Sequence, residues 1–149
     1  MFDASQFLGT NFNEVLDTKR TPTPVGEYIG QIGTGEKDME LKSGEKDGKP
    51  WAQLVLRVYL ADPSGAIKAA TGSEKPMVIY NPFIDLTESG AFDSSKGKNI
   101  RIGKLLEAAG KLKPGWKITD LKGATIKVKI GHRTHEGETY DEVQAVTTP

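Results

Sequence analysis

The stretch Trp51-Ala52-Gln53-Leu54-Val55-Leu56-Arg57-Val58-Tyr59-Leu60 decides the fold class. Its even positions are all apolar and its odd positions carry Trp, Gln, Val, Arg and Tyr, the period of two of a strand with one face in a core. The other face is amphipathic, because Trp51, Arg57 and Tyr59 share it. Upstream, residues 25–39 read as a bent first strand, with Tyr28 and Ile32 on one parity and Val25 and Ile29 on the other. The intervening GTGEKDMELKSGEKDGKP, residues 33–50, is charged and glycine-rich, so it forms a long hairpin loop or the flared ends of two strands.

Downstream, Asp62-Pro63-Ser64-Gly65 is a turn, and Met77-Val78-Ile79-Tyr80-Asn81 is a third strand of ambiguous facing that Pro82 interrupts. The only good helix lies between Asn99 and Ala109. Ile102, Leu105, Leu106 and Ala109 follow helical spacing there, Asn99 is placed to cap the start and Gly110 to close the end. Thr125-Ile126-Lys127-Val128-Lys129-Ile130 then alternates as a fourth strand, with Ile126, Val128 and Ile130 inward and Lys127 and Lys129 outward. Residues 132–139 form a turn around Gly137, and residues 140–147 a fifth strand.

Length and composition agree with a β-rich single domain. The chain has 149 residues, 36% hydrophobic and 27% charged, enough for a real core without staples. Its 17 glycines and 8 prolines favour turns and argue against an all-α bundle. The absence of cysteine removes disulfides, thiolate metal sites and cysteine nucleophiles, and fits a reducing compartment. No apolar run is long enough to span a membrane, and MFDASQFLGTNFNEV at the N-terminus lacks the basic and apolar regions of a signal peptide, so the expected location is cytoplasmic.

Residues 1–23 read as an N-terminal arm bearing Phe2, Phe7 and Phe12 and ending in Thr21-Pro22-Thr23-Pro24; residues 24–149 read as the domain. The three rings either dock on the domain's own surface or pack on a second subunit, which makes self-association through the arm an expectation to test. The order of three strands, one helix and two strands is that of the five-stranded OB-fold barrel, whose binding face centres on strands two and three and the loops between strands one and two and four and five.

Catalysis finds little support. His132-Arg133-Thr134-His135-Glu136 lacks the zinc-protease spacing and falls in a hairpin, so its histidines read as part of a solvated turn. Gly44-Glu45-Lys46-Asp47-Gly48-Lys49-Pro50 has three residues between its glycines instead of four and Pro where a phosphate loop needs Ser or Thr. The carboxylates lie scattered among lysines, and no general acid and base pair emerges. The chain is therefore expected to be no enzyme and to need no cofactor or metal.

A binding face is better supported. Trp51, Arg57 and Tyr59 on strand two, Tyr80 on strand three, Lys42, Lys46 and Lys49 in the first loop, and Lys127, Lys129 and Arg133 on strand four supply rings and cations. Unstacked bases gain from aromatic faces, and phosphates from lysine and arginine, so the candidate partner is single-stranded nucleic acid. Trp116, after Pro114-Gly115, reads instead as a plug at the barrel end. With 20 basic and 20 acidic side chains, the molecule as a whole gives no attraction to a polyanion, and any such site is a local patch. Nothing in the sequence reads a 2′-hydroxyl, so DNA and RNA are not separated.

Gly26-Glu27-Tyr28, the Trp51-to-Leu60 strand, the helix Ile102-Gly103-Lys104-Leu105-Leu106-Glu107-Ala108-Ala109-Gly110, and Leu121-Lys122-Gly123 leading to His132-Arg133 and the Glu136-Gly137-Glu138 turn form an ordered set. Over roughly residues 24–147 that set resembles a bacteriophage OB-fold single-stranded DNA-binding protein. The resemblance implies sequence-independent coating of single-stranded DNA in phage replication or recombination inside the bacterial host cell, without a cofactor and alongside other replication or recombination proteins. Many such proteins end in an acidic tail that recruits partner enzymes, whereas this sequence stops at Val146-Thr147-Thr148-Pro149, so a tail is either lacking or lies beyond the sequence. The competing expectation is a phage structural or interaction module that uses the same barrel to hold protein.

Overall fold

The computed structural model describes residues 1–149. Seven strands form one antiparallel sheet: β1 (Gly26–Ile32), β2 (Met39–Lys46), β3 (Lys49–Leu60), β4 (Met77–Tyr80), β5 (Phe83–Ile84), β6 (Thr125–His135) and β7 (Glu138–Thr147). Its main path runs β2-β3-β1-β6-β7, with β4 and β5 also on β3. The helices are α1 (Ala4–Leu8), α2 (Ala66–Thr71) and α3 (Ile100–Ala108), with a 3-10 turn at Ile118–Leu121. None is long and apolar enough to cross a membrane.

The decisive alternation holds. Ala52, Leu54, Leu56, Val58 and Leu60 are buried, while Trp51, Gln53, Val55, Arg57 and Tyr59 are half-exposed. Ile126, Val128 and Ile130 of β6 join them from across the sheet, and Ile102, Leu105 and Leu106 of α3 close the core. Gly30 marks a close crossing in the core, since a Cβ there would stand 2.5 Å from a Val58 methyl. A strand residue without a side chain is what allows β1 to lie against β3 at that point.

The sheet is open and has seven strands where sequence expects a five-stranded OB-fold barrel, and backbone chemistry explains the difference in number. The first strand breaks because residues 33–38 bulge out opposite Arg57: the Arg57 amide donates to the Asp38 carbonyl, and the Arg57 carbonyl accepts from the Gly33 amide. Beyond the bulge the chain is extended again, so residues 39–46 are strand and only Asp47-Gly48, both at positive φ, make the turn. The third strand breaks at Asn81-Pro82 and resumes as β5 in the same register on β3. β4 approaches β7 without pairing with it, which leaves the sheet unclosed.

Two further expectations change. Asn99 does not cap α3 through its side chain; it sits in the left-handed region and ties the loop below. Its side-chain oxygen accepts from the Asp85 amide at 2.7 Å and its amide donates to the Asp85 and Asp93 carbonyls. The far end behaves as expected, with Gly110 at positive φ and amides of Gly110 and Lys111 donating to Glu107 and Leu106. The supposed solvated turn at 132–139 is mostly strand, because β6 runs on to His135 and the reversal is confined to Glu136-Gly137. His132 within it is hydrogen-bonded, its Nε2 lying 2.5 Å from the Thr23 carbonyl.

That contact also fixes the arm. The Thr23 amide and hydroxyl donate to the two Asp141 oxygens at 2.6 and 2.9 Å, and Tyr28 donates to the Pro24 carbonyl. Burial raises the Tyr28 pKa above its ordinary value, helped by the charges of Asp62 and Asp141. Upstream of this clamp the phenylalanines pack against one another, Phe2 tilted against Phe7 at 5.2 Å and Phe7 edge-on to Phe12 at 6.1 Å, and stay exposed.

Candidate nucleic-acid interface

Strand pairing sorts the charged hairpin into two faces. Directly opposed residues share a face, so the outer face of β2 and β3 carries Lys46 beside Lys49, Gly44 beside Trp51, Lys42 beside Gln53 and Glu40 beside Val55. Glu45 points to the other face, opposite Pro50, and Asp47 sits in the turn. A segment with three lysines and three acids, neutral as a string, thus presents Lys42, Lys46 and Lys49 on one side with Glu40 as the single acid among them.

Trp51 lies at the centre of that face. Gly44 leaves room for it: a Cβ on Gly44 would stand 3.0 Å from the indole, so the ring spreads across the glycine backbone. Phe83 of β5, opposite Gln53 and exposed, meets Trp51 edge-on at 6.4 Å. Neither Gly44 nor Phe83 stood out in the sequence; the signal for Gly44 lies in cross-strand register, which only the Asp47-Gly48 turn fixes.

Farther along the same face Arg57 lies opposite Ile79, and Tyr59 opposite Met77 and Gln31. Tyr59 is not free: its hydroxyl donates to Asp38 Oδ1 at 2.7 Å. This bond, joined by the Gly35 amide, lowers the Asp38 pKa and in return raises that of Tyr59. Arg57 adds a positive charge beside Asp38, so both residues brace the 33–38 bulge as well as the outer face.

Beside this face a groove of about 580 Å³ opens between β4 and the β6–β7 hairpin, where the sheet fails to close. Gln53, Ile79 and Phe83 belong to both. Its far wall holds Arg133 and Tyr140, which oppose each other across β6 and β7, the guanidinium 6.0 Å from the ring centre. Arg101 of α3 and Arg20 of the arm complete the lining, two cations that sequence reading missed because neither lies on a strand. Asp141 and Glu142 also line it, but the Asp141 carboxylate is occupied by Thr23. Tyr80, opposite Leu56, is on the core parity and reaches the groove from beneath; burial raises its pKa.

The structure thus gathers Trp51, Lys42, Lys46 and Lys49 on one face, which runs on to Arg57 and Tyr59, and places Arg133 and Tyr80 in the adjoining groove. It does not bring Lys127 and Lys129 there. They face outward on β6 opposite Ile29 and Glu27 of β1, with β1 between them and β3. Trp51 stands about 27 Å along β3 from Tyr59 at roughly 3.4 Å per residue, and the two lysines lie past the Tyr59 end. Trp116 packs edge-on against Phe92 at 5.5 Å, half-buried against the core. No three His, Asp or Glu side chains are placed to hold a metal ion. No protein-family model matches this chain, and no curated protein matches it in sequence.

Proposed function

We propose that this protein binds single-stranded DNA without sequence preference, as a bacteriophage protein of OB type acting in replication or recombination. The observation that carries the reading is the outer-face ladder of β2 and β3, where Trp51 and Phe83 stand among Lys42, Lys46 and Lys49 and lead into a groove lined by Arg133, Tyr140 and Arg101. Rings offer stacking planes to any base, and the cations follow the backbone without reading sequence. In the OB-type reading β1 and β2 are one bent first strand, β3 the second, β4 and β5 the third, β6 the fourth and β7 the fifth. The groove is then the seam between the third and fifth strands.

Competition between oligo(dT) and a blunt duplex of equal length tests it. The single strand is expected to win clearly, because stacking planes are useful only to unstacked bases. Equal or stronger duplex binding overturns the stacking mechanism, and no binding to either leaves the reading as a protein-holding module.

A further inference from the structure

The distal arm and the segment after α3 are complementary surfaces, and neither is covered. In the arm Phe2, Phe7 and Phe12 are 72%, 51% and 70% exposed, and Leu8 and Leu16 more so. Every charged side chain before residue 18 is acidic, namely Asp3, Glu14 and Asp17. An aromatic and acidic strip of this kind is poorly suited to a phosphate backbone and well suited to a basic, apolar protein surface.

Such a surface lies at residues 111–117, where a notch of about 340 Å³ is lined by Leu112, Lys113, Pro114, Gly115 and Trp116. Leu112 is half-exposed, and Trp116 is a fixed wall because Phe92 holds it edge-on. Lys111 and Lys117 flank the notch in sequence; with Lys113 they make three lysines, none in a salt bridge. No acidic residue lies between Glu107 and Asp120, and the Asp120 carboxylate is turned back onto the Lys117 amide.

We propose that the arm of one copy docks in the 111–117 notch of a second copy, phenylalanine against Leu112 and Trp116 and the arm carboxylates against the lysines. The clamp of Thr23 on Asp141 and His132 fixes where the arm leaves its own domain; residues 17–22 still run beside the β6–β7 turn, and the chain before Asp17 is exposed throughout. The sixteen residues before Asp17, five of them helical in α1, reach roughly 45 Å, enough to cross to a neighbour. Donor and acceptor are different surfaces, so each copy offers one arm and one notch, and the contact closes as a reciprocal pair or ring or propagates into an open chain.

Sedimentation over a concentration series, without nucleic acid, tests this independently of the DNA-binding reading. The unaltered protein should gain mass with concentration. Phe2→Ser, Phe7→Ser and Phe12→Ser together should leave a monomer with an unchanged thermal midpoint, since the rings are exposed, and one ring alone should weaken association roughly tenfold. Lys111→Glu, Lys113→Glu and Lys117→Glu should likewise give a monomer. Mixing the two variants should restore one-to-one association, because the first keeps its notch and the second keeps its arm. A monomeric unaltered protein, an arm variant that still associates, or a mixture that stays monomeric overturns the proposal.

Discussion

Trp51 spreads over Gly44 on the outer face of β3 with Phe83 edge-on beside it, so shortening it removes a stacking plane without opening the core behind Ala52 and Leu54. Trp51→Ala should cost about 1–3 kcal/mol of oligo(dT) binding and little stability. A loss of roughly 3–5 kcal/mol in stability with unaltered affinity would make the ring a core residue instead. Gly44→Val should also weaken binding, because its side chain would displace the indole; unchanged affinity would show that the ring's position over Gly44 is immaterial. Asp38 is legible only in three dimensions, for its partners Tyr59 and Gly35 meet it across the bulge. Its carboxyl is held below the ordinary 3.8, so the folded state gains from its charge above that value. The gain disappears as pH falls through the lowered folded value. Tyr59→Phe should therefore move the Asp38 carboxyl titration, followed by NMR, upward toward 3.8, and a midpoint that stays put would remove the tyrosine as the cause.

Elements with an uninterrupted period were readable from the sequence, and elements made by exceptions were not. β3, the first half of β6 and α3 each present one apolar face against the core, so side-chain pattern and burial coincide. The 33–38 bulge and the β4–β5 break depend on which amide meets which carbonyl, and a pattern of side chains says nothing of that. Asn99 shows how a correct boundary can carry a wrong mechanism. It begins α3 where expected, yet its side chain serves the loop at Asp85 and Asp93, and its φ of 53° is one that Asn tolerates better than most residues. Losing a helix cap costs about 1 kcal/mol. Asn99→Ala should cost more, roughly 2–4 kcal/mol in urea unfolding, because buried backbone groups lose their partners and alanine is strained at that φ. A loss near 1 kcal/mol would return Asn99 to a plain capping role.

Across the whole molecule 20 cations balance 20 acids, so long-range attraction to a polyanion is absent and affinity must come from where the lysines stand. Their sorting is a matter of register. Lys42, Lys46 and Lys49 stand beside Trp51, whereas Lys127 and Lys129, on the same outer face of the sheet, stand beyond β1 next to Glu27 and Ile29. The sequence shows both sets as lysines on outward strand positions and cannot separate them, because the strand order that intervenes is a property of the sheet. Salt dependence separates them directly. Each phosphate contact on a single strand contributes roughly −0.7 to the slope of log affinity against log salt. Lys42→Ala with Lys46→Ala should flatten that slope by about 1.4 and weaken all sequences alike. Lys127→Ala with Lys129→Ala should leave it nearly unchanged, since a strand lying on Trp51 and entering the groove at Phe83 runs away from them. Equal flattening by both pairs would mean that the nucleic acid wraps over β1 as well, and flattening by the second pair alone would move the interface off the Trp51 face altogether.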